Sequence, residues 1–282
     1  MKKPVIGFVI ATSVLFSTAS VDAAVEQIRI DGVAVEAEVK PVVKDNRVMV
    51  PLRVVSENLG ATVDWTSSRV VLTRSDLQLT LSLSDGEVHK NGERLAADVK
   101  PYLQNDRLLV PLRLIAEAFG AQVDYRDRTV SIHAEPLMID GVKIGAVLQD
   151  APMTMGSVTR QLNGRSYHED LYALFHSSLT EPITAPEYYG RNALLDNPGS
   201  YQQYIQYDFL NAEGSPVAGF AFYALTRAFP DEELVGLPGL LLHDVINDEW
   251  YEVDDALDKA VRALIDRADH NGFMGLVSNT VV

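Results

Sequence analysis

The sequence predicts an α+β protein: a duplicated antiparallel β-β-α-β module over residues 24–135, then a separate α+β domain over residues 136–282 with an antiparallel sheet and two amphipathic helices. Three observations predict it. A 26-residue segment recurs at an offset of 60, with strand, proline, helix, glycine and strand in the same order. The second half carries two apolar stripes at helical spacing and two pairs of alternating segments split by turn residues. Charge divides at the same boundary, with 14 basic and 17 acidic side chains in residues 24–135 against 8 and 21 in residues 136–282.

The chain begins with an address. Met1, Lys2 and Lys3 give a basic start, an apolar run follows from Val5 to Phe16, and Val21-Asp22-Ala23 places small or moderate residues before a cut after Ala23. This is the order of a secretory signal peptide over residues 1–23. The run is shorter than the roughly 20 apolar residues a membrane span needs, and nothing later reaches that length. The expected location is therefore secreted or extracellular, with the cell wall as a place of attachment. The chain has no cysteine, which excludes disulfides and thiolate metal sites, so an exported protein of this kind relies on its cores. A net charge of −15 makes nucleic acid a poor partner, because phosphates call for Lys and Arg.

Residues 40–65 read KPVVKDNRVMVPLRVVSENLGATVDW and residues 100–125 read KPYLQNDRLLVPLRLIAEAFGAQVDY, identical at 12 of 26 positions. In each copy a short strand runs into a proline, Pro51 or Pro111, which has no N–H to donate and suits the first turn of a helix. Leu52 and Leu112 follow, and then Arg53 and Arg113. Apolar residues at helical spacing face a core, Gly60 or Gly120 ends the helix, and an alternating strand closes on Asp64-Trp65 or Asp124-Tyr125. Asp31-Gly32 and Asn91-Gly92 mark the preceding hairpin turns. One helix length separates Arg53 from Asp64 and Arg113 from Asp124, which suggests a structural ion pair in each copy.

The paired V-P-L-R…G-A-x-V-D-W/Y motifs resemble the stalk domain named for the N-terminal domain of copper amine oxidases, over residues 25–134. The resemblance implies an antiparallel sheet wrapped on short helices, carried by exported bacterial proteins as a spacer or envelope-interacting module without catalysis of its own. The copper chemistry of the namesake enzymes is not legible here. The six histidines contain no His-x-His pair, and the tyrosine in Gln206-Tyr207-Asp208 lacks the asparagine of the cofactor context. No cofactor is expected.

Beyond residue 135, Ser166-Tyr167-His168-Glu169 fits a capping box at the head of a helix reaching about Leu179, with Leu171, Leu174 and Phe175 on one face. Prolines and glycines punctuate a loop over residues 182–199. Residues 201–208 and 217–225 form a hairpin about the turn at 212–215, and 240–245 with 250–253 form another. Asp254 or Asp255 caps a second helix with the stripe Leu257, Val261, Leu264, Ile265 and Ala268; Asn271-Gly272 ends it before a last strand.

Two constellations could carry chemistry. His168 and His176 lie two turns apart and suggest a metal site, against the plainer reading of packed or half-exposed histidines. The acidic run from Asp244 through Asp248 to Asp255 suggests calcium, against solvated edge charges and a helix cap; its sixth loop position lacks glycine. No G-x-S-x-G elbow is present. The strand, turn, strand and acidic-loop layout leading into LLLHDVINDEWYEVDDAL resembles the extracytoplasmic domain of RsiV-type anti-sigma factors, some of which bind the basic protein lysozyme. That family's Gly-Ala-His-Gly loop is replaced here by Ala228-Phe229-Pro230-Asp231, so no binding residue carries over. Three functions stay open: a non-catalytic envelope protein whose stalk module displays an acidic binding or sensing domain, a secreted hydrolase, and a structural spacer or assembly protein. The expected partners are cell-wall material or a cationic extracellular protein.

Overall fold

The computed structural model describes residues 25–36, 39–74, 77–192 and 197–281; the expected signal peptide and its cleavage at Ala23 lie outside them. The protein is a mixed α+β structure of many short strands and five helices among the described residues. The first half opens with β1 (Gln27–Ile30) and β2 (Val33–Val35), joined at Asp31-Gly32, where φ is +49° and +87°. Positive φ at both central residues is what a tight hairpin turn needs, and Asp and Gly tolerate it.

The chain continues through β3 (Val42–Lys44), β4 (Arg47–Pro51), α1 (Leu52–Asn58), β5 (Thr62–Trp65), β6 (Arg69–Arg74) and β7 (Leu77–Ser82). Then come β8 (Val88–Lys90), β9 (Glu93–Leu95), β10 (Tyr102–Gln104), β11 (Arg107–Pro111), α2 (Leu112–Ala118), β12 (Gln122–Arg126) and β13 (Thr129–His133). Each proline ends its strand and serves as the N-cap of the following helix, one step earlier than the first-turn position expected from sequence. Gly60 and Gly120 follow the helices at φ +81° and +79°, the left-handed conformation that glycine adopts without strain. Leu52, Val55 and Leu59 are buried, as are Leu112, Ile115 and Phe119. Arg53 and Arg113 form ion pairs with Glu57 and Glu117, at 3.3 and 3.7 Å, in place of Asp64 and Asp124. The reason is local: one helical turn brings the glutamate alongside, while the aspartates sit on the next strand.

Three sheets result, in the orders β12-β13-β1-β2, β10-β11-β4-β3 and β5-β6-β7-β8-β9. The middle one joins the two motifs through β4 and β11, where Val50 faces Val110. Strand β7 was not read from sequence. It fills the space between β6 and β8, whereas β13 pairs with β1 directly and in parallel.

A short pair, β14 (Met138–Ile139) and β15 (Val142–Lys143), leads into the second half. There β16 (Ala146–Met153) and β17 (Gly156–Leu162) form a hairpin that the sequence reading missed. α3 (Arg165–Ser178), β18 (Tyr189–Gly190), β19 (Tyr201–Leu210) and β20 (Pro216–Leu225) follow. The chain ends with α4 (Asp231–Leu234), β21 (Leu240–Asp244), β22 (Glu249–Glu252), α5 (Asp255–His270) and β23 (Met274–Asn279). The sheet runs β22-β21-β20-β19-β16-β17-β23, with β18 beside β19. Apart from β1–β13 and β18–β19 the pairings are antiparallel.

Helices α3 and α5 cover one face of this sheet. Phe175 of α3 stacks on Phe220 at 4.6 Å and meets Tyr207 and Phe222 at 5.6 and 5.8 Å, and α5 adds Leu257, Val261, Leu264 and Ala268 to the same cluster. Asp254 is the N-cap of α5, accepting from the N–H groups of Ala256 and Leu257. The capping box expected at residue 166 is not formed. Helix α3 begins earlier, behind Gly164 at φ +83°, so Ser166 lies inside it and donates its hydroxyl to the Asn58 carbonyl at 3.1 Å. The end of α3 is capped from a distance. Asp31, in the first hairpin turn, accepts the Arg165 N–H and the Ala134 N–H, both at 2.9 Å, and Arg165 donates to the Ala134 carbonyl. Arg74 pairs with Glu169 on the same helix. The halves of the chain therefore meet through α3.

Candidate functional site

His168 sits on the inner side of α3, 4% exposed, and its Nε2–H donates to the Leu162 carbonyl at 2.8 Å. Its Nδ1 has no partner among the described residues. Burial lowers its pKa from 6.5, so the ring is held neutral. His176 is exposed and leans on Tyr172, ring centroids 5.7 Å apart. Among the described residues no three His, Asp or Glu side chains gather in a way that could hold a metal.

The acidic run beyond β21 is divided among local tasks. Asp244 is buried and accepts the N–H groups of Ile246 and Asn247 at 3.1 Å and the Asn247 side chain at 2.8 Å, closing the β21–β22 turn. Asp248 takes φ +56° and accepts from His243 Nε2 at 3.0 Å. Glu249 accepts the Tyr251 hydroxyl at 2.5 Å. These contacts divide the carboxylates between turn and strand, so they do not converge on one point.

Acid–base behaviour in α3 is set by burial. Asp170 is raised from 3.8 to about 6, chiefly by burial, with Arg267 and Arg74 opposing and Glu169 adding to the rise. A carboxyl whose folded pKa lies above its unfolded one stabilises the fold fully below pH 3.8 and loses that contribution as pH rises through about 6. His168 has the opposite sign: its contribution is present above 6.5 and is lost as pH falls below that value. The two compensate between these limits. Denaturant midpoints measured from about pH 4 to 8 should fall towards acid more steeply in Asp170→Asn than in the native chain, and less steeply in His168→Gln. Parallel curves for all three would refute the compensation.

The sheet face away from α3 and α5 is a different surface. Trp250 is its centre, with His243 stacked at 4.3 Å and 11°, Tyr223 at 4.9 Å and Tyr189 edge-on at 4.7 Å. Ile183 bridges to Trp250, which lays the 182–190 stretch across this face. Leu234 of α4 packs into the same cluster with Tyr201, Tyr223 and Leu241. Tyr188 and Tyr189 stay 37% and 45% exposed. Around them Glu187, Asp248 and Glu252, and the three acidic residues of α4, are exposed, while Glu249 turns with Tyr251 to the face covered by α3 and α5. Arg191, just beyond β18, is engaged with Asp150 at 3.1 Å. Trp250 and Tyr223 are buried beneath this covering, so Tyr188 and Tyr189 are the rings the face presents, with a border of carboxylates. The acidic excess of this half is legible in the sequence, but the alternation of β20, β21 and β22 that gathers the rings is visible only in the registers.

Two clefts of about 920 and 540 Å³ lie elsewhere. The larger is lined by Arg53, Glu57, Trp65 and His270 among others, where α1 and β5 face the end of α5. Neither is lined by His168, His176 or the described residues of the 182–199 loop.

Residues 29–134 match the family model of the copper amine oxidase N-terminal domain. The first half is thus similar to that domain, and the motif residues Pro51, Leu52, Arg53, Gly60, Asp64 and Trp65, with Pro111, Leu112, Arg113, Gly120, Asp124 and Tyr125, all lie inside the matched segment. No curated protein and no solved structure matches the chain. No helix among the described residues is long and apolar enough to cross a membrane.

Proposed function

We propose that this is a non-catalytic, exported envelope protein in which residues 24–135 are a duplicated stalk module and residues 136–282 bind a cationic extracellular protein through the outer sheet face. One observation carries this reading: exposed aromatic rings and exposed carboxylates occupy the same face of the half that holds 8 basic and 21 acidic side chains. Aromatic side chains are efficient anchors in an interface, and a border of one charge sign speeds encounter with the opposite sign. Export rests on the signal pattern ending at Ala23, and duplication on the offset of 60 between the two motifs. The similarity of the first half to a non-catalytic domain supports a displaying role, with cell-wall material as its own expected contact.

The test is titration of the mature chain with basic and acidic globular proteins of matched size. Basic proteins should bind, more weakly as salt rises. The double change Glu187→Lys, Glu252→Lys should weaken binding by about tenfold or more, since each tenfold needs only about 1.4 kcal/mol. Glu93→Lys, on the exposed strand β9, should leave it unchanged. Equal losses in both variants would contradict the assignment of the face.

A further inference from the structure

The eight-stranded sheet ends in β22 on one side and β23 on the other, and the two edges are built differently. Strand β22 reads Glu-Trp-Tyr-Glu, with exposed carboxylates at both ends, and the Ile183 N–H already reaches the Trp250 carbonyl at 2.7 Å. Strand β23 pairs only with β17 among the described residues, and no charged residue stands anywhere in 271–282. Leu276 and Val277 are 68% and 54% exposed on it. The apolar surface continues past the strand: Val281, and Met153 and Met155 at the tip of the β16–β17 hairpin, are exposed as well. The tip and the strand end are tied together, because Thr280 donates its N–H to the Ser157 carbonyl and receives the Ser157 N–H on its hydroxyl. Such an edge offers a row of free backbone groups without the charges that normally protect one.

We propose that β23 pairs antiparallel with β23 of a second copy, joining two sheets across a two-fold axis. Charge identifies the occupant. Residues 136–282 carry 21 acidic side chains against 8 basic, so two copies repel along most approaches, while an uncharged strand lets them meet without like charges in contact. Self-pairing of β22 about Trp250 would set Asp248 against Glu252, whereas self-pairing of β23 about Leu276 sets that leucine against its own copy and Gly275 against Val277, with no charge on either side. The register of β23 shifts opposite the Thr159–Arg160 step. That irregularity bends the strand and keeps the pairing short, so the dimer is a weak, concentration-dependent one.

Sedimentation equilibrium of the full mature chain from about 10 μM to 1 mM should show a monomer–dimer equilibrium. Raising salt from about 50 to 500 mM should tighten it, because screening removes acid–acid repulsion. Amide exchange in residues 274–279 should slow as concentration rises. Leu276→Asp should loosen the dimer by tenfold or more with an unchanged thermal melt, and Met155→Asp, on the hairpin tip, should loosen it less. A chain that stays monomeric over the whole range overturns the proposal. So does a dimer weakened by salt, or one whose protected amides lie outside β23.

Discussion

Replacing Phe175 with alanine is expected to cost about 3–5 kcal/mol of stability, the range for emptying a large buried aromatic site. Phe175 is fully buried in α3 and meets Tyr207 on β19 and both Phe220 and Phe222 on β20. Those neighbours are fixed by strand pairing, so the space cannot close by a small shift, and the loss includes both transfer and cavity terms. Phe175→Leu, which refills part of the volume, should recover a substantial share. Denaturant unfolding followed by tyrosine and tryptophan fluorescence measures both. A cost below about 1.5 kcal/mol for the alanine variant would mean that α3 is not pinned on this sheet as described.

The next largest effect is expected at Asp31. Its carboxylate is 5% exposed and accepts two backbone N–H groups, those of Ala134 and Arg165, at 2.9 Å each, with the Arg165 guanidinium 3.9 Å away. Alanine there would leave two donors without an acceptor, at about 1–3 kcal/mol for each buried one, so a total of about 2–4 kcal/mol is expected. Because one donor belongs to the first half of the chain and the other heads α3, the damage should concentrate at the junction. Amide exchange in the first turn of α3 should rise more than exchange in β19 or β20. A uniform rise across the second half would place the role of Asp31 elsewhere.

Asp31 also illustrates what the sequence could and could not disclose. As the first residue of an Asp-Gly pair it is legible as a hairpin turn, and the turn is there. Its cap on a helix 134 residues later is a tertiary fact, with no local signal. For the same reason Ser166 misled: Ser-x-x-Glu reads as a capping box, but with Asp31 already at the helix end the serine joined the helix and turned to Asn58. The two proline-to-glycine motifs were legible because their chemistry is local, a missing N–H at one end and a positive φ at the other. Strand β7 and the β16–β17 hairpin escaped because neither has a counterpart in the repeat or a tight turn pair flanked by clean alternation. Of the candidate site residues, Asp244 and Asp248 were visible as acids, yet only the turn geometry assigns the first to backbone N–H groups and the second to His243. The outer aromatic face was the least legible part. Tyr189, Tyr223 and Trp250 come from three separated segments, and their meeting depends on strand registers and on the bridge at Ile183.

This outer face, bordered by carboxylates, is the surface proposed to bind a cationic protein. Hydrogen exchange on the mature chain, with and without a saturating basic globular protein at low salt, tests it most directly. Slowed exchange is expected in residues 182–190, the β21–β22 turn and α4, with residues 25–134 unchanged. Protection confined to the first half, or spread evenly over every acidic segment, would contradict it.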